Sequence, residues 1–346
     1  MKRYNGPYLT KEGFIQAEFL VEENEVKEYE SGGDGGEDAI IIPAFYNSHT
    51  HVGDSVVKEA PTGTIEEIVG PGGMKEESLS TSSKEEMISS ISSYLKMASS
   101  LGVRYLFDFR EGGMKGLEVL RRAMERVQKD IYPIMMCRPR KREYDEEELK
   151  ELLSQADGMG LSAHRDWDET QIGMVAETAK KMSKPLAMHC SEDVREPLEK
   201  VLGLGVHHLV HMVEATEEDL ELCAEEEVPV VICPRANMFF GKMPDIPKML
   251  ECGVTLSLGT DNAMISSPNM FREMETAYRI GMLQGEVSPE EILMMATWNP
   301  RRSLSERCVK DEKDSLLILK HREGDPAYNL VKNAAPKDVI EVVDWY

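Results

Sequence analysis

The sequence predicts an α/β protein, a (β/α)8 TIM-type barrel with a small β appendage formed by both termini. Three observations carry this reading. Eight short apolar or β-branched runs recur along the chain, at 39–45, 103–109, 131–137, 158–163, 185–190, 206–212, 228–233 and 254–259. Longer stretches with helix signatures separate them, and strand alternating with helix builds a parallel sheet. Residues 1–38 and 309–346 break that rhythm, with the strand-like pieces FIQAEFLV, SLLILK and DVIEVV and the glycine-rich turn SGGDGGED. The expected division is therefore 1–38 plus 309–346 for the appendage and 39–308 for the barrel. A length of 346 residues suits one barrel of roughly 250 residues with such an addition.

Taken in order, the run at 39–45 leads into the sequence IIPAFYNSHTHVGDS. The stretch from Val52 to Ser80 contains GPGG and little periodicity. Loops of this length inside compact domains are functional or disordered, and this one is a candidate lid. A helix is expected to open at Ser82, with Glu85 completing a capping box before MISSISSYLKMASSLG, and to end at Gly102. After the eighth run, PNMFREMETAYRIGML and a second helix, with Ser288 as cap, Pro289 behind it and Glu291 completing the box, finish the outer ring.

Composition excludes several classes. A formal charge of −23 and a pI near 4.8 argue against nucleic acid or an anionic membrane as partner, since both require clustered Lys and Arg. The six cysteines (Cys137, Cys190, Cys223, Cys233, Cys252, Cys308) are scattered without a C-x-x-C pair and read as reduced thiols. The N-terminus lacks an apolar stretch behind its charged start, and no segment reaches the roughly 18 apolar residues of a membrane span. A cytoplasmic protein is the expectation.

The candidate chemistry lies at strand ends. His49-Thr50-His51 closes the first apolar run, and residues i and i+2 of a strand face the same side, so both imidazoles can grip one metal ion. His189 ends PLAMHC, His211 ends HHLVHM, and Asp261 follows VTLSLGT. Half of the eight expected strands thus end in a residue able to bind metal or move a proton, a coincidence that favours a metal site over isolated structural histidines. His207 and His208 precede the centre of their strand and are assigned to packing or to the opposite face.

These residues resemble the amidohydrolase superfamily, and more closely its branch of cytosine, guanine and adenosylhomocysteine deaminases and chlorohydrolases. The resemblance runs over most of residues 39–306 and rests on PAFYNSHTH, HCSE, VHMVEAT, CPRAN and LGTDNAM. It implies one divalent metal ion, Zn²⁺ or Fe²⁺, held by His49, His51, His189 and Asp261. Such an ion lowers the pKa of water toward about 7. By the same resemblance Asp261 accepts the water's proton, Glu192 protonates the ring nitrogen beside the attacked carbon, and His211 hydrogen-bonds the reacting centre. Two departures matter. Binuclear relatives use a lysine on the fourth strand, whereas no lysine occurs from Glu151 to Ala179, which favours a single metal. The other zinc deaminase signature is absent, because His321 and Glu323 have the H-x-E spacing but no cysteine pair follows.

The resulting expectation is a hydrolase that replaces an exocyclic amino group on a purine, pterin or pyrimidine and releases ammonia. The alternatives are an amide, cyclic amide or carbon–halogen hydrolase with the same metal, or a binding protein that kept the fold without its chemistry. A homodimer is the expected assembly. Arg110, Arg138, Arg140, Arg165 and Arg235 fall at or just after strand C-termini, where barrel substrates bind, and guanidinium forks suit carboxylate and phosphate. Together with His164 and Asn237 they are the candidate substrate contacts, and the heterocycle is expected to carry an anionic group. The competing reading pairs the arginines locally with Asp108, Glu111, Asp166 or Glu192.

Overall fold

The computed structural model describes residues 1–33, 35–70, 72–127, 131–304 and 314–345. Its chain starts with four strands, β1 (Lys2–Thr10), β2 (Gly13–Glu22), β3 (Glu25–Ser31) and β4 (Glu37–Pro43). Eight barrel strands follow in nine pieces: β5 (Phe45–His51), β6 (Val103–Arg110), β7 (Tyr132–Cys137), β8 (Gly158–Leu161), β9 (Leu186–Cys190), β10 (His208–His211), β11 (Val230–Ile232), and a last strand split into β12 (Leu256–Leu258) and β13 (Asp261–Asn262). The chain closes with β14 (Asp314–Lys320) and β15 (Val339–Trp345).

The terminal strands form a small closed barrel in the order β1-β2-β3-β15-β14-β4. Tyr8, Phe19, Ile41, Ile318 and Val343 fill it. Tyr8 and Trp345 each meet Phe19 edge-on, with ring centroids 5.2 and 5.6 Å apart, the arrangement that aromatic quadrupoles prefer.

The large sheet runs β12-β11-β10-β9-β8-β7-β6-β5-β13. Its two ends, β12 and β13, are consecutive pieces of one strand, so the sheet returns on itself as a (β/α)8 barrel. At the break, Asn47 on β5 clasps Thr260, accepting from its backbone N–H at 2.9 Å and donating to its hydroxyl at 2.7 Å. Glycine is required at the neighbouring position, because a Cβ on Gly259 would lie 2.8 Å from the backbone nitrogen of His49.

Two expectations change. The run at 39–45 is not one barrel strand: its apolar part is β4, which pairs with β1 and β14 in the terminal barrel. Ala39 and Ile41 face that barrel's interior while Ile40 and Ile42 face the large core. Burial on both faces produces the continuous apolar run. The barrel's first strand is instead β5, FYNSHTH, polar in sequence yet buried throughout. The capping box also moves by one residue. Ser83 caps the helix Lys84–Ser100 with Glu86 as its reciprocal partner, while Ser82 ends the preceding helix by donating to the Ser78 carbonyl. The shift places Ile88, Ile91, Leu95 and Ala98 on the buried face. Each large apolar side chain so buried contributes about 1.5–3 kcal/mol. The Ser288 box with Glu291 is observed as expected.

Among its described residues, the segment 52–80 carries a 3-10 helix, Val52–Val56, and two α-helices, Ile65–Val69 and Met74–Thr81, the first of these with its own capping box at Thr64 and Glu67. Among the described residues, five cysteines are free thiols, and no helix is long and apolar enough to cross a membrane. Cys308 and the expected boundary at 308/309 lie outside the described residues.

Candidate metal centre

Alternation along β5 turns His49 and His51 into the barrel mouth, while Thr50 between them faces away and donates to the Phe107 carbonyl at 2.9 Å. Across the barrel, β9 delivers His189 and β10 delivers His211. Phe109 packs edge-on beneath the rings of His49, His51 and His189, with centroids 4.4, 6.1 and 5.3 Å away. Two of the converging residues sit in the left-handed region: His211 has φ +80° and Asp261 φ +57°. Residues with side chains adopt such angles only where the surroundings impose them, and they concentrate at functional sites. At Asp261 the constraint is visible as the Asn47 clasp on Thr260.

The ligand atoms of His49, His189, His211 and Asp261 all lie within 4.8 Å of one another. His51 joins them, its Nε2 being 3.2 Å from Nε2 of His189 and 3.7 Å from Oδ1 of Asp261. His49 Nε2 is 3.4 Å from the same carboxylate oxygen. Hydrogen bonding on the far side of two rings fixes their tautomers. His189 Nδ1 donates to the Leu161 carbonyl at 2.8 Å, and His51 Nδ1 faces the Phe109 carbonyl at 3.2 Å and a Glu111 oxygen at 2.7 Å. Each Nε2 is then a lone-pair acceptor aimed at the other. Both ring nitrogens of His49 and Oδ1 of Asp261 are buried without hydrogen-bond partners. Buried polar atoms left in this state are costly, and a cation would satisfy Oδ1 of Asp261 and the unprotonated nitrogen of His49.

The electrostatics agree with that donor set. Burial holds the imidazole of His49 down, to about 3, and lowers those of His51 and His189 as well, so all three are neutral donors at physiological pH. Burial alone would raise Asp261, but the imidazoles gathered around it, His49 at 3.4 Å first among them and then His211 and His51, outweigh it and hold its carboxyl well below the usual range. Three imidazoles and a carboxylate around one space fit a divalent zinc-type ion. The fourth barrel strand, Gly158–Leu161, reads GMGL and offers no bridging lysine.

Glu192 reaches the same space from the turn after β9, where Ser191 adopts φ +49°. Its Oε2 is 3.5 Å from His211 Nε2. Burial raises its pKa, and the negative Asp261 adds to that, against the opposing pull of His211. Asn237 was expected to touch substrate. It is 1% exposed, as are His211 and Asp261, and its amide nitrogen stands 3.2 Å from His211 Nδ1.

The arginines divide. Arg110 is buried between Asp108 (3.8 Å) and Glu111 (3.2 Å). Arg235 binds Glu273 through its backbone N–H at 2.9 Å and the Ser267 carbonyl through its guanidinium at 3.0 Å. Both guanidiniums brace the interior, the local pairing that the competing reading expected for Arg110. Arg140 is exposed, with its backbone N–H on Glu148. Arg165 is exposed and His164 half-buried on the turn after β8. Arg138 donates to the Gly160 carbonyl at 3.0 Å, and its second terminal nitrogen is buried without a hydrogen-bond partner. His208 lies against Phe107 and Phe109 inside the barrel, as a packing residue. His321 pairs with Asp38 in the terminal barrel at 2.7 Å. Sequence reasoning missed Glu111 as a partner of His51, together with Asp54 and Lys75. Glu111 directly follows β6, so the rule of strand ends would have found it; Lys75 sits in an aperiodic segment with no such signal.

Residues 40–306 match the amidohydrolase family. A putative aminohydrolase of Archaeoglobus fulgidus is 31% identical over 350 residues, spanning 99% of this chain and 97% of its own. The 5-methylthioadenosine/S-adenosylhomocysteine deaminase of Halobacterium salinarum is 31% identical over 157 residues, 39% of this chain and 36% of its own. Among solved structures, an adenosine deaminase from Xanthomonas campestris with bound zinc superposes with a TM-score of 0.78 at 16% identity, covering 99% of this chain and 91% of its own.

Proposed function

Because the chain belongs to the amidohydrolase family and is an enzyme that hydrolyses carbon–nitrogen bonds, we propose that it removes an exocyclic amino group from a purine-, pterin- or pyrimidine-type heterocycle as ammonia. His49, His51, His189 and Asp261 would hold one divalent ion, Zn²⁺ in the first instance and Fe²⁺ as the alternative. The ion, when bound, acidifies water in the site. Asp261, ionised at neutral pH, accepts a proton from the attacking water. Glu192 delivers a proton to the ring nitrogen beside the attacked carbon. His211 hydrogen-bonds the oxygen as it adds to that carbon. Asp261 then passes its proton to the departing amino group, which leaves as ammonia as the carbon–nitrogen bond breaks; the ring nitrogen keeps the proton from Glu192, and the remaining proton of the added oxygen returns to Glu192 as the carbon–oxygen double bond forms.

The observation that carries this reading is the Glu192 carboxyl 3.5 Å from His211 Nε2, beside the ligand cluster and with its protonated form favoured by burial. A general acid is required when the leaving group is an amine on an aromatic ring. The names of the relatives, an aminohydrolase and an adenosine-type deaminase, support the same class. Arg138 and Arg165 at the mouth suit a substrate bearing a carboxylate or phosphate. The test is ammonia release from a panel of amino-substituted purines, pterins and pyrimidines, each as the neutral and the anionic analogue. Turnover of amides or halogenated rings with no ammonia from any amino heterocycle would replace this reading.

A further inference from the structure

Glu111 and Lys75 build a charged clasp on the outer side of the metal centre, and we propose that Glu111 is a positioning residue for His51, held in place by Lys75 from the 52–80 segment. The inference rests on the reading of His51 as a metal ligand. Glu111 Oε1 lies 2.7 Å from His51 Nδ1 and 2.7 Å from Lys75 Nζ. Its other oxygen is 3.2 Å from the Arg110 guanidinium, and Arg138 stands 3.9 Å from Oε1. Lys75 also reaches Asp54 at 3.3 Å and the Asn262 side chain at 3.5 Å, the latter one residue from Asp261. Gly53 lets Arg110 lie flat against the backbone, since a Cβ there would fall 2.0 Å from its guanidinium nitrogen.

Six ionisable groups are gathered, Lys75, Arg110 and Arg138 facing Asp54, Asp108 and Glu111, with burial pushing Asp54 up to about 7 and Asp108 up to about 6. Buried charge is costly even when paired, so a structural role alone is a weak account of so many. The asymmetry between the two facing imidazoles gives a better one. His189 Nδ1 is held by a backbone carbonyl, whereas His51 Nδ1 has a carboxylate nearer than its carbonyl. A carboxylate behind a ligating imidazole fixes its ring and makes the opposite nitrogen more basic. Lys75 presses that carboxylate toward His51 and belongs to the helix Met74–Thr81. Metal binding and docking of that helix are therefore linked, each strengthening the other by the same factor.

The experiment titrates the metal-stripped full-length protein with Zn²⁺ against a chromogenic chelator, and records the visible spectrum of the Co²⁺-loaded form. Glu111→Gln is expected to weaken Zn²⁺ binding about 10–100-fold and to shift the Co²⁺ bands, because the His51 donor has changed. Lys75→Met should weaken binding in the same direction. Glu111→Gln strands Lys75 and Arg110; should that variant fail to fold, Glu111→Gln/Lys75→Met restores the charge balance and is read in its place. Wild-type affinity and unchanged Co²⁺ bands in a folded Glu111→Gln or double variant overturn the proposal. Wild-type affinity in Lys75→Met overturns the part assigned to Lys75. A wild-type protein that binds no Zn²⁺ overturns the metal reading itself, and with it this one.

Discussion

His51 and His189 face each other through their Nε2 atoms across 3.2 Å, while the Nδ1 of each is engaged by oxygen on the far side. Two neutral imidazoles so fixed offer lone pairs to the same point, with Asp261 Oδ1 3.7 Å from one of them. Protonating either ring would relieve the contact, but burial lowers both pKa values. A divalent cation relieves it without that cost.

His49→Ala, His189→Ala and Asp261→Ala should therefore each lose bound metal, measured as metal per chain after dialysis. His208→Ala and His321→Ala should keep it, since one packs against Phe107 and the other pairs with Asp38 in the terminal barrel. Full metal content and normal turnover in Asp261→Ala would contradict the assignment.

Glu192→Gln keeps the shape and the hydrogen bonds but cannot shuttle a proton. It should retain metal while kcat falls by several orders of magnitude and KM changes far less. Loss of metal from a folded variant would make Glu192 a ligand instead.

Asn237 acts through His211. With its amide on Nδ1, it selects which nitrogen of His211 carries the proton facing Glu192 and the reacting oxygen. Asn237→Ala should lower kcat about 10–100-fold, the range usual for groups that orient a site imidazole, with metal content unchanged. An unaltered kcat would reduce Asn237 to packing.

Much of this site was legible because barrels place chemistry at strand ends, and His49, His51, His189, His211 and Asp261 each follow or close a recognisable run. What escaped did so for physical reasons. The polar strand β5 carries no apolar periodicity because its inward residues include the histidines turned into the barrel mouth, so the run beside it, β4, took its place. Local pairing of Arg110 with Asp108 and Glu111 was legible as the competing reading, whereas Arg235 meets Glu273, 38 positions away, which only folding brings within reach. Lys75 lies in a stretch without periodicity, 36 positions before the carboxylate it meets. Capping residues shift by one wherever two serines adjoin, as Ser82 and Ser83 do, since either can accept from the first turn.

Arg235 and Glu273 give a prediction about stability. Glu273 is fully buried and burial pushes its pKa up to about 7, against the pull of Arg235. Its folded value exceeds the unfolded value near 4.3, so the native state holds the proton more tightly. The contribution of this group to stability is then full below about 4.3, declines as pH rises toward 7, and is lost above it. Arg235→Ala removes the compensating charge. The loss should be small at pH 5 and approach the roughly 3–5 kcal/mol of a broken buried pair at pH 8, as read by denaturant unfolding. An equal loss at both pH values would contradict it.

Arg138→Ala and Arg165→Ala should raise KM for an anionic substrate and leave its neutral analogue little changed, because a guanidinium fork binds carboxylate or phosphate through paired charged hydrogen bonds. Steady-state kinetics on the matched analogues decide this. Equal effects on both forms would leave the two arginines as structural.

The most direct test of the central claim is ammonia release measured against metal occupancy, using stripped protein reloaded stepwise with Zn²⁺ and an amino-substituted heterocycle that the wild type turns over. Ammonia should rise in proportion to bound metal and level off at one ion per chain. Release that is independent of bound metal, or that needs a second ion before it begins, would contradict a one-metal deaminase built on His49, His51, His189 and Asp261.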